Sequence, residues 1–301
     1  MSDLMQRIKG SYTIAFTPFQ EDGSVDYEEF AKELNYLSKT GAEGVVLYGM
    51  TSEYHKLTDA EKTELTQVFL DTLKGRKVVS VLSVTDWSTD VAVKTAQKYQ
   101  ALGVDMLMVM PPFYFSPSVE EVRRHMICIL EAVDIPVLIQ YAPLATKLYL
   151  PEEELVAMSD KYPHAAFKME YRPAQDFMQK FLDLKPDMPI LTGWAGLEIV
   201  ELYKIGVRGV MTVGGFTELY AAIFKELDAG NEEKAKEIYG KMEKYLGDWM
   251  INPESLLAIE KEILKRRGIL KSSYCRRPAY HVTEKNSREI DEFLAEFAEY
   301  L

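Results

Sequence analysis

Short apolar runs alternate with amphipathic stretches along most of this chain. An extended segment at residues 12–19 is followed, from about Asp26, by Phe30, Leu34 and Leu37 at three- and four-residue spacing, which predicts a helix with one buried face. The same pair of patterns then recurs. Residues 44–49, 77–84, 104–110, 135–141, 165–171, 189–192 and 206–213 predict strands. Helical stretches begin near Thr58, Ser88, Ser118, Pro151, Pro173, Gly196 and Thr217, several opened by a Ser, Thr or Pro suited to a cap or first turn. With the first pair this makes eight strand-then-helix units.

Near-continuous apolar strands are those covered on both faces, and their regular alternation with helices implies parallel pairing through right-handed crossovers. Eight such units close a TIM (β/α)8 barrel. The competing arrangement is a doubly wound open sheet, but the GxGxxG fingerprint is absent where the first strand meets its helix. Beyond the eighth unit the chain is helical, at residues 232–249, 253–267 and 287–300, with no low-complexity linker. The expectation is one α/β barrel over residues 1–230, with a helical C-terminal extension at 231–301 packed on it.

One strand contains an anomaly. Ala165, Ala166, Phe167, Met169 and Tyr171 surround a lysine, Lys168, and an ammonium taken out of water must be paired or give up its proton. A neutral amine is a nucleophile; the alternative is a structural ion pair with a carboxylate such as Glu170. Period-two alternation places Lys168 and Glu170 on one face, and Val137, Ile139 and Tyr141 on one face of the preceding strand. If both faces are inward, Lys168 and Tyr141 share the barrel interior. A desolvated lysine beside a phenol suits Schiff-base chemistry, the amine attacking a ketone and the phenol relaying protons.

Barrel active sites lie at the C-terminal ends of the strands. Those ends carry Gly49, Met50, Thr51, Ser52 and Glu53, then Phe113 and Tyr114, then Tyr141, Ala142 and Pro143, then Gly193 and Trp194. Thr51 and Ser52 offer hydroxyl and backbone donors for a carboxylate, although a turn with a capping Ser or Thr has the same composition.

Composition narrows the partners. The chain has 301 residues, 47% of them hydrophobic, enough for a sizeable core. A formal charge of −12 argues against nucleic acid or an anionic membrane as partner, while leaving room for a small anionic ligand in a locally positive pocket. The first residues lead into charged positions without an apolar signal stretch, and no run reaches the length of a membrane span, so a cytoplasmic location is expected. Cys128 and Cys275 lack CxxC spacing, and His55, His125, His164 and His281 lack metal-ligand spacing. Neither a metal nor a cofactor is expected.

Taken together, the motifs resemble the dihydrodipicolinate synthase and N-acetylneuraminate lyase superfamily of Schiff-base-forming lyases. The resemblance runs from Phe16, Thr17, Pro18 and Phe19 to Arg277 and Pro278, and includes Gly49-x-Thr51-x-Glu53. It implies Lys168 as the imine-forming lysine, Tyr141 as the proton-relay tyrosine, Thr51 as a catalytic turn residue, and Tyr114 as a tyrosine lent across a subunit interface, hence a homo-oligomer, either dimer or tetramer. Gly49, Met50, Ser52, Glu170, Gly193 and Met211 are the positions implied to meet a 2-oxo acid substrate. Two departures stand out. Synthases of the lysine pathway carry two adjacent threonines in the turn and an arginine shortly after the relay tyrosine; here Met50 and Ser52 flank Thr51, and Lys147 is the nearest cation after Tyr141. A lysine lacks the planar fork that grips a carboxylate bidentately. The runs Tyr141-Ala142-Pro143, Phe167-Lys168-Met169-Glu170 and Met211-Thr212-Val213-Gly214-Gly215 look like the branch of 2-keto-3-deoxy sugar acid dehydratases. Condensation of pyruvate with aspartate semialdehyde is the alternative activity, and a non-catalytic barrel that binds 2-oxo acids is the alternative of another class.

Overall fold

The computed structural model describes residues 3–115 and 117–301. Eight strands pair in chain order into a closed parallel barrel: β1 (Gly10–Ile14), β2 (Gly44–Leu47), β3 (Val79–Val84), β4 (Met106–Val109), β5 (Val137–Tyr141), β6 (Ala165–Met169), β7 (Ile190–Thr192) and β8 (Gly209–Val213). From β2 to β8 every strand residue is buried, which is why these segments read as apolar on both faces. No helix among the described residues is long and apolar enough to cross a membrane.

The chain folds as two compact units, one combining the residues up to Gly10 with Val79–Met211, the other combining Ser11–Val78 with Thr212–Leu301. In the first, β3 to β7 form a continuous parallel ladder, with Val109 opposite Ile139, Gln140 opposite Lys168, and Lys168 opposite Leu191. The amphipathic helix Ala174–Leu184 buries Phe177, Met178, Phe181 and Leu182. Phe181 meets Phe167 of β6 edge-on at 5.4 Å, and Phe177 stacks on Tyr141 of β5 at 5.5 Å. These contacts sort the faces. Phe167 and Tyr141 point out toward the helix layer, so the next-door positions Lys168 and Gln140 point the other way, into the barrel.

In the second unit, helix Tyr27–Leu37 is capped by Asp26, whose carboxylate accepts from Glu29 N, and helix Asp59–Leu73 by a reciprocal Thr58–Glu61 capping box. The C-terminal helices Glu232–Trp249, Pro253–Arg266 and Glu284–Glu296 belong to this same unit. Trp249, Phe293 and Phe297 form an aromatic cluster with Phe216 there. The last helix starts three residues before the pattern predicts, because Thr283 and Asn286 close a capping box. Helix Pro253–Arg266 buries two charged residues in succession, Glu260 and Lys261.

Candidate active site

Lys168 sits in the middle of the β5–β6–β7 ladder and is 3% exposed. Its Nζ lies 3.0 Å from Oε1 of Glu170, which the chain delivers two residues later on the same face. Beyond the end of β6 the backbone stays extended, because Glu170 N donates to Tyr141 O at 2.8 Å and Gly193 N donates to Met169 O at 3.2 Å. The other carboxylate oxygen, Oε2, accepts from Gln140 Nε2 at 3.0 Å. Both oxygens of Glu170 are therefore engaged in a site almost closed to solvent. A buried pair of this kind offsets the desolvation of its two charges only when the remaining hydrogen bonds are satisfied, and Gln140 supplies one of them.

Gly193 completes the arrangement by what it lacks. A Cβ built on Gly193 would fall 2.1 Å from Glu170 Oε1 and 2.5 Å from Cγ. The carboxylate occupies the space that any side chain at 193 would fill. Met211, also buried, follows Gly209 on the face that Leu191 and Lys168 share.

Tyr141 is not on that face, and the expectation that it shares the barrel interior with Lys168 is corrected here. It pairs with Met169 rather than with Lys168 and stacks on Phe177, which in turn stacks on Tyr171 at 4.3 Å. Its hydroxyl donates to Leu150 O and accepts from Leu150 N, both at 3.0 Å. Burial pushes the phenol up to about 12, with the Leu150 contact opposing. A phenol so placed anchors the segment after β5. The inward residue opposite Lys168 is Gln140, an amide that cannot exchange a proton in catalysis. Tyr141→Phe is accordingly expected to leave turnover within a few-fold of the parent while costing about 1–3 kcal/mol of stability, because two backbone groups of Leu150 lose their partner. Steady-state rates and urea unfolding of the one variant check both halves.

The turn after β2 lies in the second unit. Met50–Ser52 forms one 3-10 turn, followed by Glu53 in the left-handed region at φ 55°. Gly49 opens it, where a Cβ would lie 2.8 Å from Ile14 Cγ2. The Ser52 hydroxyl donates to Ala15 O at 2.7 Å and its carbonyl accepts from Thr17 Oγ1 at 2.6 Å, so Ser52 is committed to the fold. Thr51 Oγ1, by contrast, is buried with no hydrogen-bond partner among the described residues. Glu53 is fully buried: Oε1 accepts from Lys261 Nζ at 2.6 Å, and Oε2 from Lys56 Nζ and the backbone N of Arg276, each at 3.1 Å. Sequence reasoning missed Gln140 and Lys261. Gln140 carried a signal, a polar residue inside an otherwise apolar strand.

Tyr114 stands on the surface at 70% exposure, beside Phe115 at 95%, with Trp87 and Phe113 completing an aromatic cluster.

A sequence model of the dihydrodipicolinate synthetase family matches residues 7–297. The chain belongs to that family. With it comes the enzyme class, a lyase of the class I aldolase type. Among curated relatives of this dihydrodipicolinate synthetase family member, a 4-hydroxy-tetrahydrodipicolinate synthase of Chlorobium phaeovibrioides is 28% identical over 290 residues, 95% of this chain and 96% of that one. An uncharacterized DapA-like lyase of Thermofilum pendens is 25% identical over 300 residues, 98% of each chain. The crystal structure of a dihydrodipicolinate synthase from Rhodopseudomonas palustris superposes with a TM-score of 0.88 at 22% identity, covering 98% of this chain and 99% of that one, a likeness of fold.

Proposed function

We propose that this family member joins Lys168 covalently to the ketone of a 2-oxo acid and breaks a bond in the resulting enamine. The observation that carries the reading is a primary amine at 3% exposure, held 3.0 Å from the Glu170 carboxylate. Moving the ammonium proton along the contact converts an ion pair into a neutral amine and a neutral acid without creating a lone buried charge. The amine is then the nucleophile that imine formation requires. Within the second unit, Thr51 is proposed by itself as a donor to a small-molecule oxygen, since its hydroxyl has no other partner among the described residues.

For the substrate we infer a 2-keto-3-deoxy sugar acid, dehydrated between C3 and C4. Two features support this over condensation with aspartate semialdehyde. The segment after β5 offers Lys147, exposed at the end of the short helix Pro143–Thr146, instead of an arginine, and the inward position beside Lys168 holds Gln140 instead of a phenol. The second reading, synthase activity, is favoured by the relatives, which include several 4-hydroxy-tetrahydrodipicolinate synthases at 27–28% identity. A panel of 2-keto-3-deoxy acids read by product mass decides between them, alongside pyruvate and aspartate semialdehyde in a coupled reductase assay. Loss of 18 mass units, the mass of one water, supports dehydration; a heterocyclic product in the coupled assay overturns it in favour of the synthase.

The surface cluster of exposed Trp87, Tyr114 and Phe115 with half-buried Phe113 is proposed as a contact with a second copy of the chain, as the resemblance implies for Tyr114. Phe115→Asp, which puts a charge on the most exposed ring, is expected to shift the protein to a smaller species in light scattering.

A further inference from the structure

We propose that Glu170 is the catalytic acid and base of this enzyme, carrying the proton between the substrate carbons that a phenol facing the lysine would otherwise carry. The inference rests on Lys168 forming the imine and adds the identity of the proton carrier. Three independent observations support it. Tyr141 is turned away, its ring against Phe177 and its hydroxyl tied to Leu150. Gln140 occupies the inward position and directs its Nε2 to Glu170 Oε2. Gly193 leaves open the volume into which the Glu170 carboxylate projects, with the absent Cβ 2.1 Å from Oε1. A group that only neutralised Lys168 would not need to be aimed from two sides; a carboxylate that must reach atoms bonded to Nζ does.

The proton balance closes on this one group. Glu170 takes a proton from the Lys168 ammonium, Nζ bonds to C2 of the 2-oxo acid, and the carbinolamine hydroxyl leaves as water with the proton returned by Glu170. The products of this stage are the iminium and a carboxylate. The carboxylate then removes a proton from C3: the C–H pair becomes the C2–C3 double bond, and the C2–N double-bond pair passes to nitrogen. From the enamine, the nitrogen pair restores the iminium, the C2–C3 pair moves to C3–C4, and the C4 hydroxyl departs as water with the proton held by Glu170. Hydrolysis frees the amine. No oxidant, reductant or further proton carrier is required.

Exchange of the pyruvate methyl protons in D2O, followed by NMR, reads proton removal from C3 without any need for the true substrate. Borohydride trapping followed by intact mass reads imine formation separately. In Glu170→Gln, isosteric and still able to accept from Gln140, the trapped pyruvate adduct is expected to persist at saturating pyruvate while methyl exchange falls by about 100-fold or more, the scale of a positioned proton-transfer group. Glu170→Asp is expected to recover part of the exchange. Gly193→Ala, which keeps the carboxylate and pushes it aside, is expected to trap pyruvate and exchange slowly. Exchange at the parental rate in Glu170→Gln overturns the proposal, as does an adduct that forms at the parental rate in that variant, since both proton transfers of imine formation are assigned to the same carboxylate. Absence of any adduct in the parent protein is a different result, since it removes the lysine chemistry itself and this proposal with it.

Discussion

Lys168→Ala, treated with pyruvate and borohydride, is expected to keep its own mass where the parent gains one reduced adduct, and to turn over no substrate. The variant removes the nucleophile and also the ammonium that sits 3.0 Å from Glu170 Oε1. Breaking a buried pair by deleting one partner costs about 3–5 kcal/mol, because the other charge stays behind in a poor solvent. Glu170 retains Gln140 as a donor, which softens the loss. The stability penalty should therefore shrink in Lys168→Ala/Glu170→Gln, whose amide carries no charge, while the adduct stays absent. Urea unfolding of the parent, the single and the double variant separates lost chemistry from lost folding. An adduct of unchanged mass on the alanine variant would place the reactive amine elsewhere in the chain.

The second large effect is expected at Lys261. Its Nζ donates to Glu53 Oε1 at 2.6 Å, to Thr17 O at 2.7 Å and to Tyr274 O at 3.2 Å, and lies 4.8 Å from the centre of the Phe19 ring. Three acceptors from three separated stretches of chain meet one cation at zero exposure. Lys261→Met keeps most of the volume and removes every one of these bonds, leaving Glu53 with Lys56 and the Arg276 amide on its other oxygen. We expect about 3–5 kcal/mol of destabilisation. The double variant Glu53→Gln/Lys261→Met should recover part of it, the difference being the coupling energy of the pair. A surface pair such as Lys236–Glu232, 40% exposed on both sides, is the control, where a comparable deletion is expected to change the denaturation midpoint little. Equal effects at the two sites would mean that Lys261 is not held as these contacts imply.

The barrel was readable from sequence because its strands are buried on both faces, so apolar runs mark them without ambiguity. The same property hid the orientation of β5. In Val137-Leu138-Ile139-Gln140-Tyr141 each face ends in one polar group, the Gln140 amide on one and the Tyr141 hydroxyl on the other, so the run by itself does not say which of them the lysine will face. That depends on the register, Gln140 opposite Lys168, which is a property of two strands together. Tyr141 is paired with Lys168 by period-two alternation only if both faces are inward, and the resemblance to a family with a relay tyrosine then favours it over Gln140. Lys168 and Glu170 were found because they lie on one strand, where period-two alternation suffices. Gly193 was named as a contact position, but its relation to Glu170 depends on the β6–β7 pairing. Lys261 was hidden by its company, since Glu260, Lys261, Glu262 and Lys265 read as the polar face of a helix, and the helix buries the first two of them.

The void at residue 193 couples the evolutionary histories of two positions. While Glu170 is present, every side chain at 193 collides with it; once Glu170 is shortened to serine, the same vacancy becomes a packing defect that alanine at 193 can repair. For packing, exchanges at the two sites are thus epistatic, each destabilising alone and compensating together, whereas the chemistry still depends on the carboxylate. A lineage that abandons this carboxylate is free to drift at 193, and one that retains it is not.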